Sequence, residues 1–270
     1  MSPVSTTQPP PLTLSSVSPN HLQTWGRCQR QFDYQYVQQL RWPTDQRNFA
    51  LGKNVHKLLD YQARGLDVEP LLQTATSELQ HAWQLLMAHP ISQAPVVASE
   101  WGFQIPVDYA EARAEPAPAG ITATDEAVPS SAEQPPRHVW LTGRIDRIVC
   151  GDNGQIWVLD WKTGTAVPKD PAHHWQTIVY LLAVLAAKHD LGLPDLTAEQ
   201  LAFVYVGVSD AVRLVEVSFD ASQQAQYEAR LQQSLQQLLS ATDFVLPSRC
   251  PDAHCPYGTI CGINQVLLVQ

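Results

Sequence analysis

The sequence predicts an α/β fold, and three observations carry that prediction. Residues 139–150 and 156–162 are apolar, strand-like runs on either side of Gly151-Asp-Asn-Gly154, the densest turn signal in the chain, so they read as an antiparallel hairpin. Helical periodicity dominates the stretch before them, and another helix separates the hairpin from two further strand-like runs, 201–208 and 212–219. At 270 residues, 44% hydrophobic and 16% charged, the chain can bury one sizeable core and carry some irregular insertion.

Residues 1–12 are polar and proline-rich and read as a disordered tail before a single domain over 13–265. Ser18-Pro19 caps a helix expected to run to about residue 40, with Leu22, Trp25, Phe32, Tyr36 and Val37 as its apolar stripe. Helices over 49–63 and 68–87 follow, then a strand over 96–105 from its alternation. Residues 109–138 are rich in Ala, Pro, Glu and Ser without periodicity, which predicts a disordered insertion in the sheet region. Asp170-Pro171 opens a helix to about residue 189, and a glutamine-rich amphipathic helix covers 221–239. No repeat, Gly-rich phosphate loop or helicase signature is present, so any ATP-driven motor would be another chain. The longest apolar run, 178–187, is too short to span a bilayer, which predicts a soluble, cytoplasmic protein with no membrane partner.

Asp160 and Lys162 are two residues apart and share one face of their strand. Whether Asp146 joins them depends on register. Pairing Cys150 with Ile156 across a five-residue loop sets Asp146 opposite Asp160, whereas a four-residue loop turns it to the other face. The five-residue loop, or a four-residue loop with a bulge, is the expectation.

Gly143-Arg-Ile-Asp146 followed by Val158-Leu-Asp160-Trp-Lys162 resembles the PD-(D/E)XK nuclease superfamily, specifically its RecB-like branch. Gly52-Lys-Asn-Val-His56 is similar to that branch's helical motif, whose histidine is an extra metal ligand, and Gln176-Thr-Ile-Val-Tyr180 to its glutamine and tyrosine motif. Leu14-Ser-Ser-Val-Ser18 running into Cys28-Gln-Arg-Gln-Phe32-Asp-Tyr34 resembles the opening of the iron-sulfur members, in which an early cysteine pairs with a late cluster, here Cys250, Cys255 and Cys261. Glu100 resembles an acidic residue that such nucleases place before the hairpin. The resemblance implies a restriction-endonuclease-like mixed central sheet flanked by helices, with the terminal segments joined at a cysteine metal site. It also implies hydrolysis of DNA phosphodiester bonds, as an exonuclease on single-stranded ends. Relatives include stand-alone repair exonucleases and CRISPR-associated exonucleases that trim new spacers, so a helicase or CRISPR-adaptation partner is implied beside DNA.

The chemistry suits those residue types. Phosphodiester hydrolysis needs an activated water and a counter-charge for the transition state, and a divalent cation supplies both. Asp146, Asp160, the Trp161 carbonyl and His56 are the expected ligands for Mg²⁺ or Mn²⁺, the imidazole favouring Mn²⁺. Lys162 would orient water and offset phosphate charge, and Gln176 and Tyr180, at i and i+4 on one helix face, would contact the scissile strand or brace Lys162. The bland alternative pairs Asp146 and Asp160 with Arg144, Arg147 and Lys162 in ordinary salt bridges, though buried ion pairs roughly break even. A second alternative is a non-cleaving module that holds DNA or a helicase.

Five cysteines in a chain with no secretion signal favour metal ligation over disulfides. Cys28, Cys250, Cys255 and Cys261 suit a 4Fe-4S cluster by resemblance, with Zn²⁺ as the competitor. One departure stands out: four residues separate Cys250 from Cys255, where the family pattern has two. Cys150 has no partner in the pattern. The net charge of −9 and pI near 5.4 oppose strong non-specific nucleic-acid binding. Yet seven of the 17 basic residues fall in 27–64 and five in 137–169, the segments that also carry His56, Asp146 and Lys162.

Overall fold

The expected hairpin forms, with Cys150 paired to Ile156, and the rest of the sheet grows from it. In the computed structural model, β1 (Ser16–Val17), β2 (Val96–Tyr109), β3 (Arg137–Cys150), β4 (Ile156–Thr163), β5 (Leu201–Val208) and β6 (Val212–Ser218) form one six-stranded mixed sheet. The structure describes residues 14–41, 47–109, 137–151, 154–163, 167–245, 247, 250 and 255–261. The expected tail at 1–12 lies outside the described residues, as does the expected insertion over 109–138 apart from its ends, where Tyr109 belongs to β2 and Arg137 and His138 to β3.

β3 pairs with β2 along nearly its whole length, antiparallel, while β4 pairs with its residues 147–150 and β1, parallel, with its residues 140–141. β4 and β5 run parallel, joined by α6 (Trp175–Ala186), and β6 returns antiparallel to β5. β5 is covered on both faces and reads as a continuous apolar run, as a central strand must.

Period-2 alternation divides the core into two layers. Val158, Ile148, Phe203 and Tyr205 face α1 (Pro19–Arg27), α6 and α7 (Ala221–Leu239). Leu159, Trp161, Val204 and Val206 face α3 (Arg47–Ala63) and α5 (Ser77–Ala88). Ile178, Val179, Leu181 and Val184 of α6 are fully buried, each contributing about 1.5–3 kcal/mol of apolar transfer.

Arg147 is the exception inside the second layer, being only 1% exposed. Its guanidinium lies 5.7 Å from the Trp161 ring centroid and donates to the Leu59 carbonyl and to Gln62 Oε1, tying α3 to the sheet. Burial pushes its pKa below the usual arginine value.

Three expected helices differ from the structure. The helix expected over 19–40 breaks at Cys28, whose extended backbone ends α1 through its N–H to the Thr24 carbonyl. The Cys28 Sγ then accepts from the Gln31 N–H at 3.4 Å and starts α2 (Gln29–Phe32), which passes into a π-helical turn over Asp33–Val37. The helix expected over 68–87 is two, α4 (Glu69–Gln73) and α5, because Thr76 caps a new helix by accepting from the Leu79 N–H. The helix expected from Asp170-Pro171 begins at Trp175, with His174 as the capping side chain, so the Pro171 segment is a turn.

After α7 the chain folds back on the N-terminal helices. Phe244 packs edge-on against Trp25, the Val245 N–H donates to Gln29 Oε1 at 3.2 Å, and Tyr257 Oη donates to the Leu40 carbonyl at 2.7 Å. A short α8 (Gly258–Cys261) follows. Among the described residues no helix is long and apolar enough to cross a membrane.

Candidate active site

Cys150 pairs with Ile156, the register of the five-residue loop, and continuing that register sets Asp146 opposite Asp160. The ladder itself stops at Arg147 and Leu159, and the strands part beyond it. In the gap the Trp161 N–H donates to Asp146 Oδ2 at 2.9 Å, so a carboxylate stands where a strand partner would otherwise be. The Trp161 carbonyl accepts from His56 Nε2 at 3.2 Å.

His56 reaches the gap from α3. Its Nδ1 lies 3.4 Å from Asp146 Oδ1 and 3.8 Å from Glu100 Oε1. Burial disfavours the charged ring, but hydrogen bonding and attraction to Asp146, the Trp161 carbonyl and attraction to Glu100 outweigh it and raise the pKa to about 9. Ligand atoms of His56, Glu100 and Asp146 lie within 4.8 Å of one another, a spacing that can hold one metal ion. Glu100 sits across β2 and β3 from Asp146, and its backbone takes φ +47°, a left-handed conformation that a non-glycine residue adopts only under constraint. Burial and repulsion from Asp146 push its pKa up.

Asp160 is held differently. Gln176 Nε2 donates to its Oδ1, Lys162 Nζ lies 2.7 Å from its Oδ2, and Lys162 Nζ also donates to Gln176 Oε1 at 3.2 Å. The Lys162 ammonium is thus the charged partner of the buried Asp160 carboxylate. Desolvation and repulsion from Asp146 raise the Asp160 pKa to about 6 against the opposing pull of Lys162 and Gln176. Tyr180 stands behind this group, 8% exposed and packed against the Phe103 and Phe203 rings. Burial raises its pKa. It does not line the cleft.

The cleft has a volume of about 710 Å³, and its walls include His56, Glu100, Asp146, Asp160, Lys162 and Gln176. The salt-bridge alternative holds for Asp160 with Lys162 alone: Arg144 pairs with Glu100 at 3.5 Å, and Arg147 turns to the opposite layer. The structure thus brings together the predicted His56, Asp146, Asp160, Trp161, Lys162, Gln176 and Tyr180. It adds Glu100, which motif reading noted but did not place in the ligand set; alternation with Trp101 and Ile145 was the available signal.

Four of the five cysteines lie near one another where the C-terminal segment meets Cys28. Burial raises the Cys255 thiol's pKa, and Cys250, Cys261 and Cys28 are all close enough to add to the shift. Cys28, Cys255 and Cys261 are half-buried and in no disulfide. Cys150 lies apart at the end of β3.

A mixed sheet that opens at a hairpin to seat two aspartates, a lysine and a helical histidine defines a nuclease-type site. The PD-(D/E)XK nuclease superfamily model matches residues 16–262, and the chain belongs to that superfamily of hydrolytic, divalent-metal nucleases. Among solved structures, it is similar to SSO0001 at 14% identity, covering 93% of this chain and 87% of that one with a TM-score of 0.42. A second, named "Putative exonuclease" from Eubacterium rectale, is 12% identical, with coverage of 90% and 87% and a TM-score of 0.45. No curated protein matches the chain.

Proposed function

We propose that this chain hydrolyses DNA phosphodiester bonds as an exonuclease on single-stranded ends, using Mg²⁺ or Mn²⁺ held in the cleft. The observation that carries the reading is the set of His56, Glu100 and Asp146 ligand atoms within 4.8 Å of one another, in a cleft that Asp160 also lines. Asp146, Asp160, His56 and the Trp161 carbonyl would hold the cation, with Glu100 as a further oxygen. When bound, it supplies counter-charge to the phosphate and lowers the pKa of the attacking water. His56 favours Mn²⁺ and must release a proton to act as a ligand.

The chain's own groups do the rest. Lys162, fixed by Asp160 and Gln176, holds an ammonium in the cleft wall where phosphate charge develops. Gln176 orients both partners at once, donating to Asp160 from its Nε2 and accepting from Lys162 at its Oε1. The four cysteines of the terminal segments are a donor set suited to a 4Fe-4S cluster, with Zn²⁺ as the alternative; either would fasten the C-terminal segment to α2. The test is cleavage of end-labelled single and double strands by anaerobically purified protein with Mg²⁺ or Mn²⁺. Release of mononucleotides from single-stranded ends supports the reading, and DNA binding without cleavage in either metal replaces it with the non-cleaving module.

A further inference from the structure

The cations and anions of the cleft do not balance. Its lining includes four carboxylates, and each has a partner: Asp60 with Arg64 at 3.0 Å, Glu100 with Arg144 at 3.5 Å, Asp146 with His56 at 3.4 Å and Asp160 with Lys162 at 2.7 Å. Two lysines of the same lining remain, Lys53 and Lys57 of α3. Both are exposed, and neither has a carboxylate partner among the described residues. Lys57 leans over the Tyr61 ring, 5.4 Å from its centroid. In a chain of net charge −9, two uncompensated cations inside the one cleft that also holds the candidate metal ligands are an excess that folding does not need.

Their spacing adds to the argument. Residues four apart lie on one helix face, about 6 Å along the axis, a separation comparable to that of neighbouring phosphates in one extended strand. His56 lies between them in sequence and belongs to the metal-ligand group, and all three line the same cleft. From this surplus charge in the cleft wall we infer that Lys53 and Lys57 bind two consecutive backbone phosphates of a single polynucleotide strand and lead it past His56 to the scissile position. The inference rests on the nuclease reading for its substrate class, but it makes a separate claim, since it concerns how the strand is held and not how it is cut. Two phosphate contacts without base contacts make that grip independent of sequence.

The decisive experiment measures binding apart from cleavage. A labelled short oligodeoxythymidylate is titrated with the full-length protein in Ca²⁺ over a series of salt concentrations. For Lys53→Gln/Lys57→Gln, the slope of log affinity against log salt should flatten by about 1.4, that is about 0.7 per lost phosphate contact on a single strand. Lys53→Arg/Lys57→Arg should keep the wild-type slope, and Arg213→Gln, on β6 away from the cleft lining, should leave it unchanged. Mn²⁺-dependent hydrolysis of bis(p-nitrophenyl) phosphate, too small to span α3, should stay within about twofold of wild type in the double variant. An unchanged slope in the double glutamine variant, or an equal change in Arg213→Gln, overturns the inference while leaving the nuclease reading intact. Failure of the wild type to hydrolyse any phosphodiester would overturn the nuclease reading, and the binding slopes would still decide the role of the lysines.

Discussion

Gly52 lies so close to Thr163 that a β-carbon on it would sit 2.8 Å from the Thr163 hydroxyl oxygen. That contact brings α3 down onto the end of β4, one helical turn before His56. Gly52→Ala gains about 1 kcal/mol of helix propensity but must displace either the hydroxyl or the helix. We expect nuclease activity to fall by about tenfold or more through a shifted His56, with a small net change in stability. Gly52→Ala/Thr163→Ala, which removes the obstructing oxygen, should recover most of the loss. If the single variant keeps full activity, the close approach does not position His56.

Asp160→Ala and Lys162→Ala should each lower cleavage by about 10²–10³-fold or more, the scale of losing one preorganised electrostatic group. Oligonucleotide affinity should change little, because the surplus cations lie on α3. Single-turnover assays at saturating enzyme separate the two effects, and wild-type cleavage in both variants would remove Asp160 and Lys162 from the mechanism.

His56 gives a pH dependence with a definite sign. Its pKa in the folded, metal-free protein is about 9 against an ordinary 6.5, so protonation stabilises this form. That contribution is complete below about pH 6.5 and is lost as pH rises through about 9. A cation needs the neutral ring, so Mn²⁺ affinity should rise across the same window, by up to about tenfold per pH unit, with release of one proton. Calorimetric titration in buffers of different ionisation enthalpy reads both quantities. His56→Ala should flatten the profile, and a wild-type affinity independent of pH contradicts the assignment.

Glu100 holds a left-handed backbone that costs about 1–2 kcal/mol for a residue with a side chain. Glu100→Gly relieves that cost but makes the unfolded chain freer by about 0.5–1 kcal/mol, leaving a small net gain in thermal stability. Glu100→Gln keeps the strain and gains less. Both should weaken Mn²⁺ binding, and undiminished binding in both would exclude Glu100 from the ligand set.

Cys28→Ala should release the C-terminal segment as well as its bound metal, because ligands from distant segments make metal binding part of folding. Iron and sulfide analysis of anaerobic protein, with limited proteolysis after α7, tests both. About four irons and four sulfides per chain mark a 4Fe-4S cluster, and one zinc marks the structural alternative. Metal-free wild-type protein with a protected C-terminal segment would exclude both.

The hairpin was readable in the sequence because a dense turn signal and period-2 alternation leave few registers open. The observed register, continued, puts Asp146 opposite Asp160 on the face that Lys162 shares, while their role came from the motif resemblance. The strand expected over 96–105 is longer, its pairing with β3 running on to Tyr109: Ile105, Val107 and Tyr109 keep the alternation past Pro106, a residue that normally marks a strand's end. Cys28 looked like part of a continuous helix because the apolar stripe carries on past it, and only its backbone shows it to be a junction. The α6 start was misplaced for the opposite reason: Asp170-Pro171 is a good opening signal, but His174 competes as the cap and puts Gln176 in the first turn, where it reaches Asp160. Glu100's φ and the pairing of Arg144 with it depend on contacts across β2 and β3 that no local pattern encodes.

Trp161 contributes two main-chain bonds to the site, its N–H to Asp146 and its carbonyl from His56, while its indole faces Arg147 in the opposite layer. A peptide group cannot be exchanged by substitution. Trp161→Phe would therefore alter the packing under α3 yet leave the geometry of two candidate ligands written in the backbone, so this position tolerates changes of side chain that its neighbours Asp160 and Lys162 do not. A backbone ester at residue 161, which removes that N–H, would free Asp146 Oδ2 from the main chain while leaving its direct contact with His56 and every side chain in place.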